Sequence, residues 1–375
     1  MRIPYNNLKN ILCLTLVISP ILGFLFIDLD SILSIAFLFS LSIGVILASN
    51  CFILLRLKTW VSVFALLSCY GFFLMRFWNE TPLCYVGLVL DGIGSGGLMV
   101  VLPSVIWVFG IYQIKSLCLG VTLTLSGVVG LVWKVLLERN TYLFLIIAFC
   151  VMLISIFLLA SQPPSINKIV SEKRLPGAAS FSSDDTLEYM LKKKGRLVIR
   201  LVIVCFFLSF SAGISLAFLP AFASDFSLGY PFFFSGLILG PLLCGYISNS
   251  KGIYSGSVLL IFLGELSVCF LFSDENSIMK ILSMVSTGLE IGTISVIIPM
   301  ISSFLLGNNY FYKAFPYLFF SGILGVGASR IVCLLSASGK ISLNSFRIPL
   351  LLLVVLCFFL IFSAWKKRLF LLKSQ

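Results

Sequence analysis

The sequence predicts an all-α, polytopic membrane protein with twelve transmembrane helices in two six-helix bundles. Three observations carry that expectation. Apolar residues make up 60% of the chain and charged ones only 11%, with a mean hydropathy of +1.14. Twelve apolar stretches reach the ~18 residues or more that a bilayer crossing needs. A single charged segment near the middle divides them six and six. In lipid only helices and closed barrels satisfy their backbone polar groups, and uninterrupted apolar runs of this length are helices.

Span 1, at about 11–27, follows Arg2 and Lys9 as a signal peptide would. No small-residue cleavage site follows it, so it reads as a retained first helix. Spans 2 and 3, at about 32–55 and 59–75, are separated by Arg56 and Lys58. Asn79-Glu80-Thr81 then forms a glycosylation sequon that hugs the membrane and precedes Pro82, and is expected to be unused. Spans 4, 5 and 6, at about 82–109, 116–137 and 141–160, complete a first half over 1–160. Residues 161–197 differ in character, with Pro163-Pro164, Gly177, a serine-rich stretch and Lys192-Lys193-Lys194. They read as a cytoplasmic linker, with an amphipathic turn near Thr186–Lys194 lying on the membrane surface. The second half, 198–375, carries spans 7 to 12 at about 198–222, 230–248, 255–272, 279–304, 314–337 and 346–364.

Charge sets the orientation. With the N-terminus inside, nineteen of the 26 Lys and Arg fall on the inner side and six at or near the outer side, leaving Arg330 within a span. This is the positive-inside pattern, and it places both termini and the linker in the cytoplasm. Short acidic loops at 28–31 and 223–229 lie outside. The formal charge of +12 therefore reflects topology rather than a nucleic-acid partner. Histidine is absent, which removes His-based acid–base, nucleophile and metal schemes. The eleven cysteines are scattered singly in or beside apolar runs, with no CxxC pair, and read as packing residues. No metal or cofactor is expected, and the implied partners are the bilayer and a small solute.

The halves repeat faintly at an offset of 196 residues. Gly92, Gly96 and Pro103 in span 4 match Gly288, Gly292 and Pro299 in span 10, and Lys134 in span 5 matches Arg330 in span 11. Parallel repeats of this kind occur in transporters that bind substrate near the midplane between two halves.

Between spans 8 and 9, Gly245-Tyr246-Ile247-Ser248-Asn249-Ser250-Lys251-Gly252 reads as a short cytoplasmic turn. It resembles the G-x-x-x-D-x-x-G loop of the major facilitator superfamily, with Asn249 where Asp is usual. Gly236, Gly240 and Pro241 resemble that family's span 8, and Asp91-Gly92-Ile93-Gly94-Ser95-Gly96-Gly97 its glycine-rich fourth helix. The family's Arg and Gln in that helix are replaced here by Leu88 and Asp91, and the first-half counterpart of the loop, Asn50 to Lys58, keeps only its basic residues. Gly96–Gly130, with Pro103, Phe109-Gly110 and glycines at 120, 127 and 130, is similar to the branch that carries large neutral amino acids, with its protozoan relatives. The resemblance implies a transporter of a small polar solute, an amino acid or similar compound, working by alternating access. It also implies that Gly245, Asn249 and Gly252 brace one conformation.

Ionisable groups inside a membrane are functional candidates by default. From the ~1.5 Å rise per residue, Asp91 lies about 6 Å outward of its span centre, Glu290 near the middle, and Lys134 and Arg330 outward as well. Ser283, Thr287, Glu290 and Thr293 form one polar stripe on span 10, which faces protein or water rather than lipid. Asp91 has Gly87, Gly94 and Ser95 on its face, allowing a ligand or a helix to approach closely. Two readings stay open. Asp91 with Lys134, and Glu290 with Arg330, would neutralise each other within each half. Alternatively Asp91, Glu290, Arg330, Lys134, Thr287 and Thr293 bind substrate, a cation holding a carboxylate and an acid holding an amine. A coupled proton, carried by Asp91 or Glu290, is also open. Glu265 sits on the ninth span, peripheral in the family. A transport-inactive receptor or scaffold is the main alternative function. A multi-pass enzyme is disfavoured, because the acid pair Asp184-Asp185 lies in the linker and no His base exists.

Overall fold

The computed structural model describes residues 31–51, 57–77, 82–109, 115–139, 150, 187–217, 229–271, 277–306, 308–339 and 346–373. Span 1, span 6 apart from Cys150, the sequon, residues 161–186 of the linker, and residues 28–30 and 223–228 of the outer loops lie outside the described residues.

The described segments are helical, and the apolar runs account for where each helix falls. Span 2 is Ser31–Cys51, span 3 Leu57–Phe77, span 4 Leu83–Phe109 and span 5 Lys115–Arg139. Span 7 is Leu187–Ala217, span 8 Gly229–Lys251, span 9 Ile253–Leu271, span 10 Ser277–Leu306, span 11 Asn308–Ala337 and span 12 Arg347–Lys373. Seven of these contain a window long and apolar enough to cross a bilayer. Large apolar side chains such as Phe39, Tyr85, Phe262, Ile348, Leu352 and Phe359 stand exposed on the helix surfaces. A membrane protein turns such faces to lipid tails, which are as apolar as a core.

Two local differences from the sequence reading stand out. Span 7 begins at Leu187, so the stretch expected to lie flat on the membrane is instead continuous with a 31-residue helix. Span 8 remains helical through Lys251, and Gly252 alone links it to span 9. Gly252 has φ +90°, a backbone conformation open to glycine and little else. Its carbonyl accepts the Ser255 amide at 3.1 Å, capping the first turn of span 9.

The chain divides into two compact units between Ser180 and Phe181. In the first, span 4 packs against spans 2 and 3 through glycines. A Cβ at Gly44 would run into the Ile93 carbonyl, and one at Gly92 would stand 2.6 Å from Ser40 Cβ and 3.1 Å from the Phe37 carbonyl. In the second unit span 10 meets span 8 in the same register. Gly240 abuts the Leu289 carbonyl, and Gly288 abuts the Phe233 carbonyl and the Gly236–Leu237 backbone. Each contact of the first set maps onto one of the second at the offset of 196. The repeat is thus present in helix packing as well as in composition. Close backbone approach replaces the hydrophobic effect as the adhesive between helices in lipid.

Other contacts in the second unit tie span 7 to its neighbours. Ser321 donates to the Val202 carbonyl at 2.7 Å, and Lys194 Nζ to the Leu306 carbonyl at 2.7 Å, the last residue of span 10. Tyr254, Phe304 and Trp365 cluster where spans 9, 10 and 12 share an end, the Phe304 and Trp365 rings stacking at 4.5 Å. Aromatic residues gather in this way at the level of lipid headgroups.

Candidate functional site

Several small polar residues inside the spans are satisfied within their own helix. Ser40, Ser42, Thr122, Ser126 and Ser302 each donate to the carbonyl four residues earlier. Such back-bonding uses the hydroxyl proton and leaves lone pairs free. The carboxylates have no equivalent local solution and depend on other helices.

Asp91 is buried at 1% exposure on the face of span 4 that meets span 3. Ser68 of span 3 donates to its Oδ1 at 2.5 Å, and Ser95, one turn along span 4, donates to the same oxygen at 3.1 Å. The glycines on this face admit a helix. A Cβ at Gly94 would meet the backbone of Phe64 and Ser68, and one at Gly71 the Asp91 amide. The Lys134 side chain lies outside the described residues.

Glu290 is fully buried in the second unit. It turns towards span 9, where a Cβ on Gly264 would stand 3.2 Å from its Oε1 and 3.4 Å from Val354 of span 12. Ser267 of span 9 lies beside the carboxylate, but its hydroxyl is out of hydrogen-bonding geometry with either oxygen and sits 3.2 Å from the Ser215 hydroxyl of span 7. Neither Glu290 oxygen has a hydrogen-bond partner among the described residues. The neutralising pair with Arg330 is therefore not formed. The polar stripe of span 10 is buried along its length, with Ser283 and Thr287 at 2% and Thr293 at 0% exposure. The Thr293 hydroxyl is also without a partner.

Arg330 is half-buried on span 11, one turn before Cys333 and next to Ser329, which packs on Gly213 of span 7. Asn249 is exposed near the end of span 8, and Gly245 is buried within that helix. Glu265 is half-buried, with its Oε1 also unpartnered. The described residues thus bring Asp91 together with Ser68 and Ser95, and Glu290 with Ser267 and Gly264. They do not bring Glu290 to Arg330. Sequence reasoning missed Ser68, Ser267 and Gly264. A signal existed, because Ser68 and Gly264 occupy one position of the repeat.

No family model matches the chain, and no curated protein matches it in sequence. Its fold has solved counterparts. The E. coli fucose:proton symporter FucP superposes with a TM-score of 0.67 at 16% identity, covering 96% of this chain and 97% of that one. The proton:xylose symporter XylE gives 0.68 at 13% identity over 96% and 95%. The human organic anion transporter MFSD10 gives 0.67 at 12% over 96% and 100%. The chain is an integral, multi-pass membrane protein with the major facilitator fold, and its ten described helices fit an architecture of twelve in two six-helix bundles.

Proposed function

We propose that the chain transports a small polar organic solute, an amino acid or a similar compound, by alternating access between its two helix bundles. The observation that carries this is the major facilitator fold over nearly the whole length, shared with proteins described as transporters. Repeated glycine contacts between spans 2 and 4 and between spans 8 and 10 support it, since bundles that rock as bodies need tight internal packing.

Arg330 is the proposed anchor for an anionic group of the solute, being an intramembrane cation that is only half-buried, with Lys134 as its counterpart in the first half. Asp91, Glu290, Thr287 and Thr293 complete the proposed substrate-binding set, as buried polar groups on spans 4 and 10. Asp91 is the candidate carrier of a coupled proton. Gly245 and Asn249 in the last turns of span 8, with Gly252 at its junction with span 9, are proposed to hold the two spans in one conformation. The test is uptake of a panel of amino acids, sugars and organic anions by the purified chain in proteoliposomes. Saturable uptake that Arg330→Leu weakens supports the reading. Solute binding without any flux would instead favour a receptor.

A further inference from the structure

Glu290, at 0% exposure, presents two oxygens that accept nothing from the described residues. A lone buried carboxylate is strongly disfavoured unless something positive or a full set of donors compensates it. Protonation alone leaves the problem in place, since the acid proton needs an acceptor and no side chain offers one in bonding geometry.

Beside Gly264 and Val354, which line one flank of the Glu290 carboxylate, stand hydroxyls with spare oxygen lone pairs. Thr293 lies three residues on along the same face, fully buried, with its hydroxyl unpartnered. Ser267 stands beside the carboxylate from span 9 and is linked sideways to Ser215 of span 7. Ser211, one turn before Ser215, is also buried with its hydroxyl unpartnered. Gly264 keeps the carboxylate's flank open, because a methyl there would sit 3.2 Å from Oε1. The acid on the same stretch of span 9, Glu265, is half-buried.

A carboxylate among hydroxyls is the donor set of a hard cation. One negative charge balances one positive charge in a low-dielectric setting, and a divalent ion would leave an excess. We propose that Glu290, Thr293 and Ser267 form a binding site for a small monovalent metal cation of the sodium class, within the second bundle between spans 9 and 10. Ser215 of span 7 backs the site through its contact with Ser267. The ion site shares Glu290 and Thr293 with the proposed substrate-binding set but not Arg330, and its test needs no flux.

The experiment is thermal unfolding of the full-length protein in detergent, at fixed pH and ionic strength, as sodium chloride replaces choline chloride. Sodium should raise Tm with a saturable dose dependence, as any ligand of the folded state does. Glu290→Gln and Thr293→Val should abolish the shift, and Glu265→Gln should keep it. If Glu290→Gln fails to fold, Thr293→Val and Gly264→Ala carry the comparison, the latter by crowding Oε1. Equal Tm in sodium and choline for the unaltered protein overturns the proposal. So does a sodium shift that survives in every variant, or a Tm that follows pH alone and is identical in both salts, which would assign the site to a proton.

Discussion

Ser68 and Gly264, 196 residues apart, hold the same place in the two bundles and leave neighbouring carboxylates in opposite conditions. Ser68 packs on Gly94 and donates to Asp91, whereas Gly264 faces Glu290, which occupies the position equivalent to Gly94. Side-chain volume has moved from the third helix of the half to the fourth. With it the donor has been lost.

The Ser68 bond is the shorter of the two that Asp91 accepts, at 2.5 Å against 3.1 Å for Ser95. Ser68→Ala should therefore cost more stability than Ser95→Ala, roughly 0.6–2 kcal/mol against less. Chemical unfolding in mixed micelles measures both, and equal losses would show that the two donors substitute for each other.

Arg330→Lys should raise the apparent KM of transport, because Lys lacks the two-pronged geometry that fits a carboxylate. Since Glu290 accepts no bond from Arg330, combining Arg330→Leu with Glu290→Leu should give no rescue. The two stability losses should add to within about 0.5 kcal/mol. Recovery of folding in the double variant would reinstate the pair.

Gly252 has no atom within 4 Å of where a Cβ would stand, so its φ of +90° alone decides what replaces it. Gly252→Val should cost about 1–3 kcal/mol and slow turnover, and Gly252→Asn should be milder, since Asn tolerates positive φ better than a β-branched residue. Proteoliposome kinetics separates turnover from affinity. Turnover unchanged in the Val variant would remove this link from the transport cycle.

Gly44→Leu and Gly240→Leu should both abolish folded protein, because each side chain would strike a backbone carbonyl on the paired helix. Gly327→Leu should express normally, as nothing lies within 4 Å of its Cβ position. Fluorescence-detected size exclusion after expression distinguishes these outcomes.

For topology, a cysteine introduced at residue 180 in a cysteine-free background should resist an impermeant reagent in intact cells and react once they are permeabilised. Labelling from outside would reverse the orientation inferred from the basic residues.

The ten described helices were legible because lipid imposes one demand, an apolar run of sufficient length, which seven of them meet in full. The repeat was legible in Gly92 and Gly288. Its stronger form, Gly44 against Ile93 and Gly240 against Leu289, needed coordinates, because a contact between helices is no property of either sequence alone. The buried stripe through Glu290 followed from helical spacing, but its direction did not. Spacing fixes which residues share a face and leaves open which neighbour the face meets, so Gly264 and Ser267 replaced the expected Arg330. The extension of span 7 back to Leu187 escaped notice because its charged residues break the apolar pattern that marks a span, although they are good helix formers.

That extension has a mechanical meaning. A continuous helix of 31 residues is about 46 Å long, while the hydrocarbon layer is about 30 Å thick. Some 15 Å of span 7 is thus left over as a stiff stem, about as far as Arg196, tied at Lys194 to the last carbonyl of span 10. A pull on the chain at Leu187 is delivered as leverage along the whole rod to Ala217, with span 10 as its fulcrum.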